Sequence, residues 1–266
     1  MAVEEIIDSA RSRLCLSIYR LDDAVVIAAL MRARRRGVSV EVLVTRRVKG
    51  SKAALNVLVA ALEAAGFGVR RYPLLRKYHA KYIVADGRIA LVGSLNFTQK
   101  CFEHTCDFAV LTRDREVAQG LTHLFELDYH GKDAPRDFGS RLIVGPDIAR
   151  RRYAALIAGA QRTIRLIDHK LTDGDMLNVI RERARAGVMV DILGRDDLDV
   201  LRAHGRLLIV DSQVAAIGSI ALSARSLDRR RELAILLRDR TAVGQLREYF
   251  DAFKPATRQR ASAAAG

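Results

Sequence analysis

A chain of 266 residues, half of them apolar, can bury a sizeable core and form one pseudo-symmetric unit or two domains. Forty-five Lys and Arg against 31 Asp and Glu leave a net charge of +14, which favours polyanionic partners such as nucleic acid, an anionic membrane surface or phosphate-bearing substrates. Three cysteines, Cys15, Cys101 and Cys106, with no C-x-x-C spacing argue against a disulfide framework or a zinc site and fit a reducing cytoplasm; the longest apolar run, Val25 to Met31, is far short of the ~20 residues that span a bilayer, so any membrane contact is expected to be peripheral.

Along the chain, the start MAVEEIIDSARSR lacks the apolar region of a signal peptide. Arg13 to Tyr19 reads as a strand, Asp22 and Asp23 cap an apolar-periodic helix, and Gly37 ends it before a strand from Val38 to Thr45. Ser51 to Tyr72 reads as one more helix and a short strand. Tyr78 to Ala85 and Arg88 to Gly93 form a hairpin around Asp86-Gly87, a strong turn signal. A strand from Asp107 to Leu111 and a helix near Glu116 to Tyr129 close a first half.

The second half repeats this order. It opens with Arg141-Leu-Ile-Val-Gly-Pro, a strand with no counterpart at the start of the first half, so the N-terminus is expected to be abbreviated. Thr163 to Ile167 is a strand, Thr172 or Asp173 caps a helix ending near Gly187, and Val188 to Leu193 is the next strand. A hairpin around Asp211-Ser212, a strand from Glu232 to Leu237 and a helix near Val243 to Phe253 follow. The interval from Gly37 to His79 is 25 residues longer than that from Gly187 to His204, so the helix and strand of Ser51 to Tyr72 belong to the first half alone. Strands alternating with helices and tight hairpins predict an α/β fold of two pseudo-symmetric halves, 1–135 and 136–254, each a mixed sheet flanked by helices, with a disordered tail at 255–266.

The most specific feature recurs once in each half: His79-x-Lys81, Asp86, Gly93-Ser94-x-Asn96, and His204-x-Arg206, Asp211, Gly218-Ser219-x-Ala221. In both copies Asp follows His by seven residues and Ser follows it by fifteen. If Asp86-Gly87 and Asp211-Ser212 are two-residue loops, His79 lies opposite Ser94 and His204 opposite Ser219, with His79 and Lys81 on one face. Neutral imidazole can attack phosphorus, protonated imidazole can donate to a leaving oxygen, and Lys, Arg, Ser and Asn can hold non-bridging oxygens. A phosphodiester fits all of these groups.

This pattern resembles the HKD signature of the phospholipase D superfamily, and its duplication resembles the two-motif, single-chain, cardiolipin synthase-like members, over about Ile6 to Phe253. The resemblance implies phosphodiester exchange through a phosphohistidine at the interface of the halves, with no metal or cofactor. It implies His79, His204, Lys81, Asp86 and Asp211 as catalytic, with His79 the nucleophile and His204 the general acid. Lys81, Ser94, Asn96, Arg206 and Ser219 would bind phosphate, and Asp107 and Glu232, each thirteen residues past its Ser, would orient the imidazoles. The expected substrate is a phospholipid or other phosphodiester, cleaved or transferred at an anionic membrane surface. A nuclease of the same fold is the alternative that the +14 charge suggests.

Arg206 replaces the Lys of the signature and Ala221 its Asn, which weakens the second copy and leaves a catalytically silent phosphate-binding or nucleic-acid-binding homologue as a further alternative. Asp86 and Asp211 also begin turns, a local role that accounts for Asp without chemistry. Gly93 and Gly218 read as places where backbones approach closely. The arginine clusters at 32–36 and 181–185 read as helix C-terminal charges, and His104, His123, His130 and His169 as surface or locally bonded. Head-group selectivity is assigned to loops such as Phe97 to Thr105.

Overall fold

The computed structural model describes residues 1–48, 52–132, 138–194 and 201–253; the tail expected to be disordered and the boundary between 135 and 136 lie outside these residues. The first half runs α1 (Ala2–Ser9), β1 (Arg13–Ile18), α2 (Ala24–Arg35), β2 (Ser39–Val44), α3 (Lys52–Ala64), β3 (Gly68–Arg71), β4 (Lys77–Tyr78), β5 (Tyr82–Ala85), β6 (Ile89–Gly93), α4 (Gln99–Glu103), β7 (Thr105–Cys106), β8 (Ala109–Thr112) and α5 (Arg115–His130). The second runs β9 (Leu142–Val144), α6 (Ala149–Ala158), β10 (Thr163–Ile167), α7 (Gly174–Arg185), β11 (Met189–Leu193), β12 (Arg202–Ala203), β13 (Arg206–Val210), β14 (Val214–Gly218), α8 (Ala224–Arg229), β15 (Arg230–Arg231), β16 (Leu233–Leu237) and α9 (Arg240–Ala252).

Each half builds one mixed sheet, in the orders β3-β2-β1-β5-β6-β8 and β11-β10-β13-β14-β16-β9. Both faces of each sheet are covered because the strands are apolar on both. In β1, Leu14, Leu16 and Ile18 face α1–α3, while Cys15 faces inward; in β16, Leu233, Ile235 and Leu237 face inward, while Ala234 and Leu236 face the α6–α8 side. The inward faces of both sheets, together with α5 and α9, form one shared core. Helix caps follow the expected residues: Asp23 accepts from the Val26 N–H and Asp173 from the Met176 N–H. The arginines of α2 tie it to α1, with Arg32 bonding Asp8 and Arg36 bonding the Ile7, Asp8 and Ala10 carbonyls.

Three expected features change. The strand expected from Tyr78 to Ala85 is broken between β4 and β5, since β5 pairs with β1 of its own sheet but β4 pairs with β15 of the other half. The strands expected from Asp107 to Leu111 and from Glu232 to Leu237 form as β8 and β16 but start at Ala109 and Leu233, after the short strands β7 and β15, and β7 pairs with β12. Phe97 to Thr105, read as a loop, contains α4, capped by Thr98.

The hairpin register also shifts by one residue. Asp86 and Gly87 take left-handed conformations, φ 53° and 64°, and the Arg88 N–H closes the turn on the Ala85 carbonyl at 3.0 Å, but Ala85 then pairs with Ile89, not Arg88. The second copy does the same, with Val210 pairing with Val214. His79 is therefore not opposite Ser94, nor His204 opposite Ser219. The expected cross-strand pair fails because one residue beyond the turn is bulged out of the ladder.

A buried ion pair joins the halves. The Arg231 side chain, 2% exposed, reaches across from β15 to Asp128 of α5, 0% exposed, at 3.1 Å, and donates to the Gly145 carbonyl at 2.9 Å. Removing one member of such a pair leaves a buried charge without its counterion, which costs about 3–5 kcal/mol. Arg231→Met is expected to lower the unfolding free energy from urea denaturation by that amount, and adding Asp128→Leu to recover most of it. Equal stability of the single and double variants would show that the pair does not couple the halves.

Candidate active site

The two short ribbons between halves carry the reactive groups. β4 runs parallel to β15 and leads into His79, while β15 leads into Glu232; β12 runs parallel to β7 and leads into His204, while β7 leads into Asp107. In the first ribbon the His79 N–H donates to the Arg231 carbonyl at 2.8 Å, and in the second the His204 N–H donates to the Cys106 carbonyl at 3.2 Å. Each histidine is thus set beside the acid of the opposite half. His79 Nδ1 lies 2.9 Å from the Glu232 carboxylate and His204 Nδ1 lies 2.9 and 3.1 Å from the two Asp107 oxygens. The acids are buried, 1% and 4% exposed, and the rings are less so, at 16% and 30%. With Nδ1 engaged, Nε2 is the nitrogen left for chemistry.

Secondary contacts brace the acids. Ser94 Oγ donates to Asp107 at 2.7 Å and accepts from the Phe108 N–H at 2.9 Å, while Thr105 Oγ1 donates to Asp107 at 2.6 Å. Ser219 Oγ accepts from the Leu233 N–H at 3.1 Å, and Glu232 is instead held by the Ser226 hydroxyl. Ser94 and Ser219, expected to bind phosphate, each turn their single hydroxyl proton toward the acid-bearing strand here.

The cations are placed asymmetrically. Lys81 is 1% exposed, donates to the His79 carbonyl at 2.8 Å and lies 3.1 Å from His79 Nδ1. Arg206 bonds the His204 and Gly205 carbonyls in the matching way, but its Nε also ion-pairs with Asp168 at 3.0 Å. Asp168 occupies the place of Ile18 in the first half, 150 residues earlier, so the larger cation comes with a buried acid of its own. Asn96 is 7% exposed and its Oδ1 has no hydrogen-bond partner among the described residues, while Ala221 at the matching place is buried.

Residues outside the repeated motif also join the site. Tyr19 packs on His79 with ring centroids 4.8 Å apart, and His169, its counterpart 150 residues on, lies 6.2 Å from the His204 ring and 3.1 Å from Arg206 Nη1. His169 was expected to be surface or locally bonded. Gly205 is required by the approach of the ribbons, since a Cβ there would stand 2.7 Å from Phe108 Cδ2 and 3.0 Å from the Asp107 Cα. Among the described residues, Cys101, Asp107 and His204 place ligand atoms within 4.8 Å of one another; hydrogen bonds already account for the Asp107 to His204 contact.

Asp86 and Asp211, expected among the catalytic residues, stand at the far ends of β5 and β13, about 20 Å of extended chain from the histidines. Their carboxylates accept from the backbone N–H groups of Arg11, Ser12 and Arg13, and of Gln161, Arg162 and Thr163. They fasten the hairpin turns to the starts of β1 and β10.

The field in the site favours a neutral His79. Burial, then Lys81, Arg230, Lys77 and Lys170, hold its pKa well below the ordinary value. Burial pushes Lys81 down to about 7, against the upward pull of Glu232 and Asp107. Lys81 feels the charge of both acids and of Arg206.

Two outcomes follow from these environments. For a reaction that needs neutral His79 and charged Lys81, kcat/KM rises as pH climbs through the low His79 pKa and falls as Lys81 deprotonates near 7. Lys81→Arg, which stays charged, is expected to move the alkaline limb upward by about one pH unit or more; an unmoved limb removes Lys81 as its origin. Burial opposes, but the Arg13, Ser12 and Arg11 N–H groups outweigh it and bring Asp86 down to about 2. Its contribution is present above the unfolded value and lost as pH falls toward 2. Asp86→Asn should therefore cost about 1 kcal/mol at neutral pH, shrinking in acid, with kcat unchanged; a loss of kcat without loss of stability would return Asp86 to the chemistry.

Comparison with known proteins places this geometry. A family model described as "Cardiolipin synthase, PLD-like domain" matches residues 3–129 and 195–254. Cardiolipin synthase B of Salmonella typhi is 25% identical over a 319-residue alignment covering 93% of this chain and 76% of its own, and polyphosphate kinase of Mycolicibacterium gilvum is 28% identical over 281 residues, 91% of this chain and 38% of its own. The crystal structure of polyphosphate kinase from Porphyromonas gingivalis superposes with a TM-score of 0.77 at 21% identity over 94% of this chain, which spans 44% of that one. Phosphatidylserine synthase of Haemophilus influenzae Rd KW20 gives 0.75 at 12% identity, over 93% and 82%. These structures share the fold of two pseudo-repeated halves. The chain belongs to the phospholipase D superfamily as a cardiolipin synthase-like member.

Proposed function

We propose that this protein transfers or hydrolyses a phosphodiester of a phospholipid through a covalent phosphohistidine. The observation that carries this is the crossed pairing of His79 with Glu232 and His204 with Asp107, which fixes both rings by Nδ1 while burial and cations keep His79 unprotonated. Nε2 of His79 attacks phosphorus, forming the N–P bond as the bond to the leaving oxygen breaks. Nε2 of His204 gives that oxygen its proton. The deprotonated His204 then takes a proton from water or an alcohol, whose oxygen displaces His79 from phosphorus.

Lys81, Asn96 and Arg206 are the groups that neutralise or hydrogen-bond the non-bridging oxygens. The amide of Asn96, buried before substrate arrives, offers its Nδ2 protons as donors to these oxygens, so little reorganisation is needed as charge develops. Asp107 and Glu232 orient the rings, and Ser94, Thr105 and Ser226 orient the acids. Phospholipid is preferred on the similarity to cardiolipin synthase B. The similarity to polyphosphate kinases supports a second reading in which the same histidine takes phosphate from an anhydride. Among the described residues no helix is long and apolar enough to cross a membrane, so lipid would be met from the surface.

The test is a panel of phosphatidylglycerol, cardiolipin, phosphatidylcholine, polyphosphate and single-stranded DNA, with chelator present throughout. Lipid turnover is expected, with kcat of His79→Ala reduced at least about a thousandfold and an acid-labile phosphoryl adduct mapping to His79. Turnover that survives the substitution, or an adduct on another residue, defeats the mechanism; turnover of polyphosphate alone selects the second reading.

A further inference from the structure

Tyr19 faces His79 on one side and opens on a groove on the other. The groove, about 610 Å3, lies between α2 and α3, and its walls are Leu21, Ile27, Val48, Leu55 and Leu58 with the Tyr19 ring at the end nearest the histidine. Such a volume falls in the range of small-molecule sites. A second recess of about 460 Å3 shares Tyr19 and Val48 with it and is basic, lined by Arg46, Arg47, Arg76 and Lys77. Two of the most exposed large apolar side chains among the described residues, Leu75 at 96% and Val57 at 70%, belong to these two recesses. The groove is built on α3, which has no counterpart among the described residues of the second half: β11 and β12 are separated by eight residues, fewer than the thirteen of α3.

An aliphatic channel, a cationic shelf and exposed apolar residues, all meeting at the aromatic ring beside one histidine, match an amphiphilic anion. We propose that the groove between α2 and α3 receives an acyl chain of an anionic glycerophospholipid whose phosphodiester lies at His79. Apart from Arg20 and Asp22 the walls are aliphatic and offer nucleobases few hydrogen-bonding partners, and the one aromatic ring is already engaged by His79 and by Lys77 and Lys81 at 5.2 and 5.5 Å from its centroid. The inference rests on the phosphodiester reading for the head-group end, and it adds a chain-length specificity set by α3.

The experiment uses the whole protein with monomeric diacyl phosphatidylglycerols from butanoyl to octanoyl and with glycerophosphoglycerol as the bare head group. Each methylene that enters the groove is expected to raise kcat/KM roughly fourfold. Ala54→Trp and Ala61→Trp, at exposed positions of α3 on the groove, should flatten that slope and lose at least about tenfold on the octanoyl lipid, with the rate on glycerophosphoglycerol unchanged. A flat slope in the wild type, or wild-type slopes in both variants, overturns the groove while leaving the chemistry standing. If no phosphodiester is turned over, binding of a fluorescent lysophosphatidylglycerol decides: roughly tenfold weaker binding by Ala54→Trp supports the groove, and equal binding overturns it. Displacement of that lipid from the wild type by single-stranded DNA also overturns it.

Discussion

The site depends on one constraint, that each half completes the histidine of the other. Two residues of parallel pairing in each ribbon are too short to be stable alone, so they exist only because the sheets on either side are already packed in a common core. The register of each ribbon then decides which acid meets which ring. In both, the residue before the acid accepts the histidine N–H, which puts the imidazole and the carboxylate side by side as neighbours in the ladder. A site built this way has no half-formed version, since either half alone would hold a histidine without its acid and an acid without its histidine.

Pseudo-symmetry fixes positions, and departures from it set the chemistry of the two rings. On the first side the motif cation is a lysine, with Ile18 at the place that Asp168 holds in the second half, and burial leaves the lysine poised to titrate near neutrality. On the second, Arg206 is locked to Asp168 and two backbone carbonyls, so its charge is partly consumed within the protein. Tyr19 against His79 supplies an apolar face; His169 against His204 supplies another proton-binding group. Equivalent places are filled by Asn96 and Ala221, and by Cys101 and Ser226. An exchange reaction asks two imidazoles to act oppositely, one as a nucleophile without a proton and one as an acid with it, and identical surroundings could not keep them apart.

Much of this was legible because the repeat is carried by spacing. The seven- and fifteen-residue intervals after His79 and His204 marked the repeat, and it was the resemblance to the phospholipase D superfamily that singled out Asp107 and Glu232 as acids for the imidazoles. What could not be read was the crossing. Tyr78 to Ala85 has the composition of one strand, and only the tertiary competition between β1 and β15 for its two ends breaks it at His79. The register of Asp86-Gly87 failed for a local reason, a bulged residue that leaves no mark on composition. Tyr19 and His169 were overlooked because they align at a spacing of 150, whereas the motifs align at 125, and because a tyrosine and a histidine do not look like copies of each other. The Asp168 and Ile18 pair at the same offset was the available clue, a charged residue interrupting an otherwise apolar strand end.

The ribbons must also be held at a fixed depth, and the residue preceding each acid does this. Successive side chains of a strand point to opposite faces, so when Glu232 turns toward His79, Arg231 must turn into the core, and when Asp107 turns toward His204, Cys106 must do likewise. Arg231 meets Asp128 on α5, a helix of the first half; Cys106 meets the Tyr249 hydroxyl at 3.0 Å on α9, a helix of the second. Each ribbon strand is therefore anchored by the half to which it does not belong. Burying an arginine and an aspartate is a poor way to gain stability, because burial still pushes Asp128 up to about 7 even with Arg231 pulling it down. It is a good way to fix position, since an ion pair in an apolar core has one satisfactory geometry and any slide of β15 would strand both charges. The orientation of His79, whose N–H meets the Arg231 carbonyl, is thus secured by an electrostatic contact whose cost is borne by the shared core.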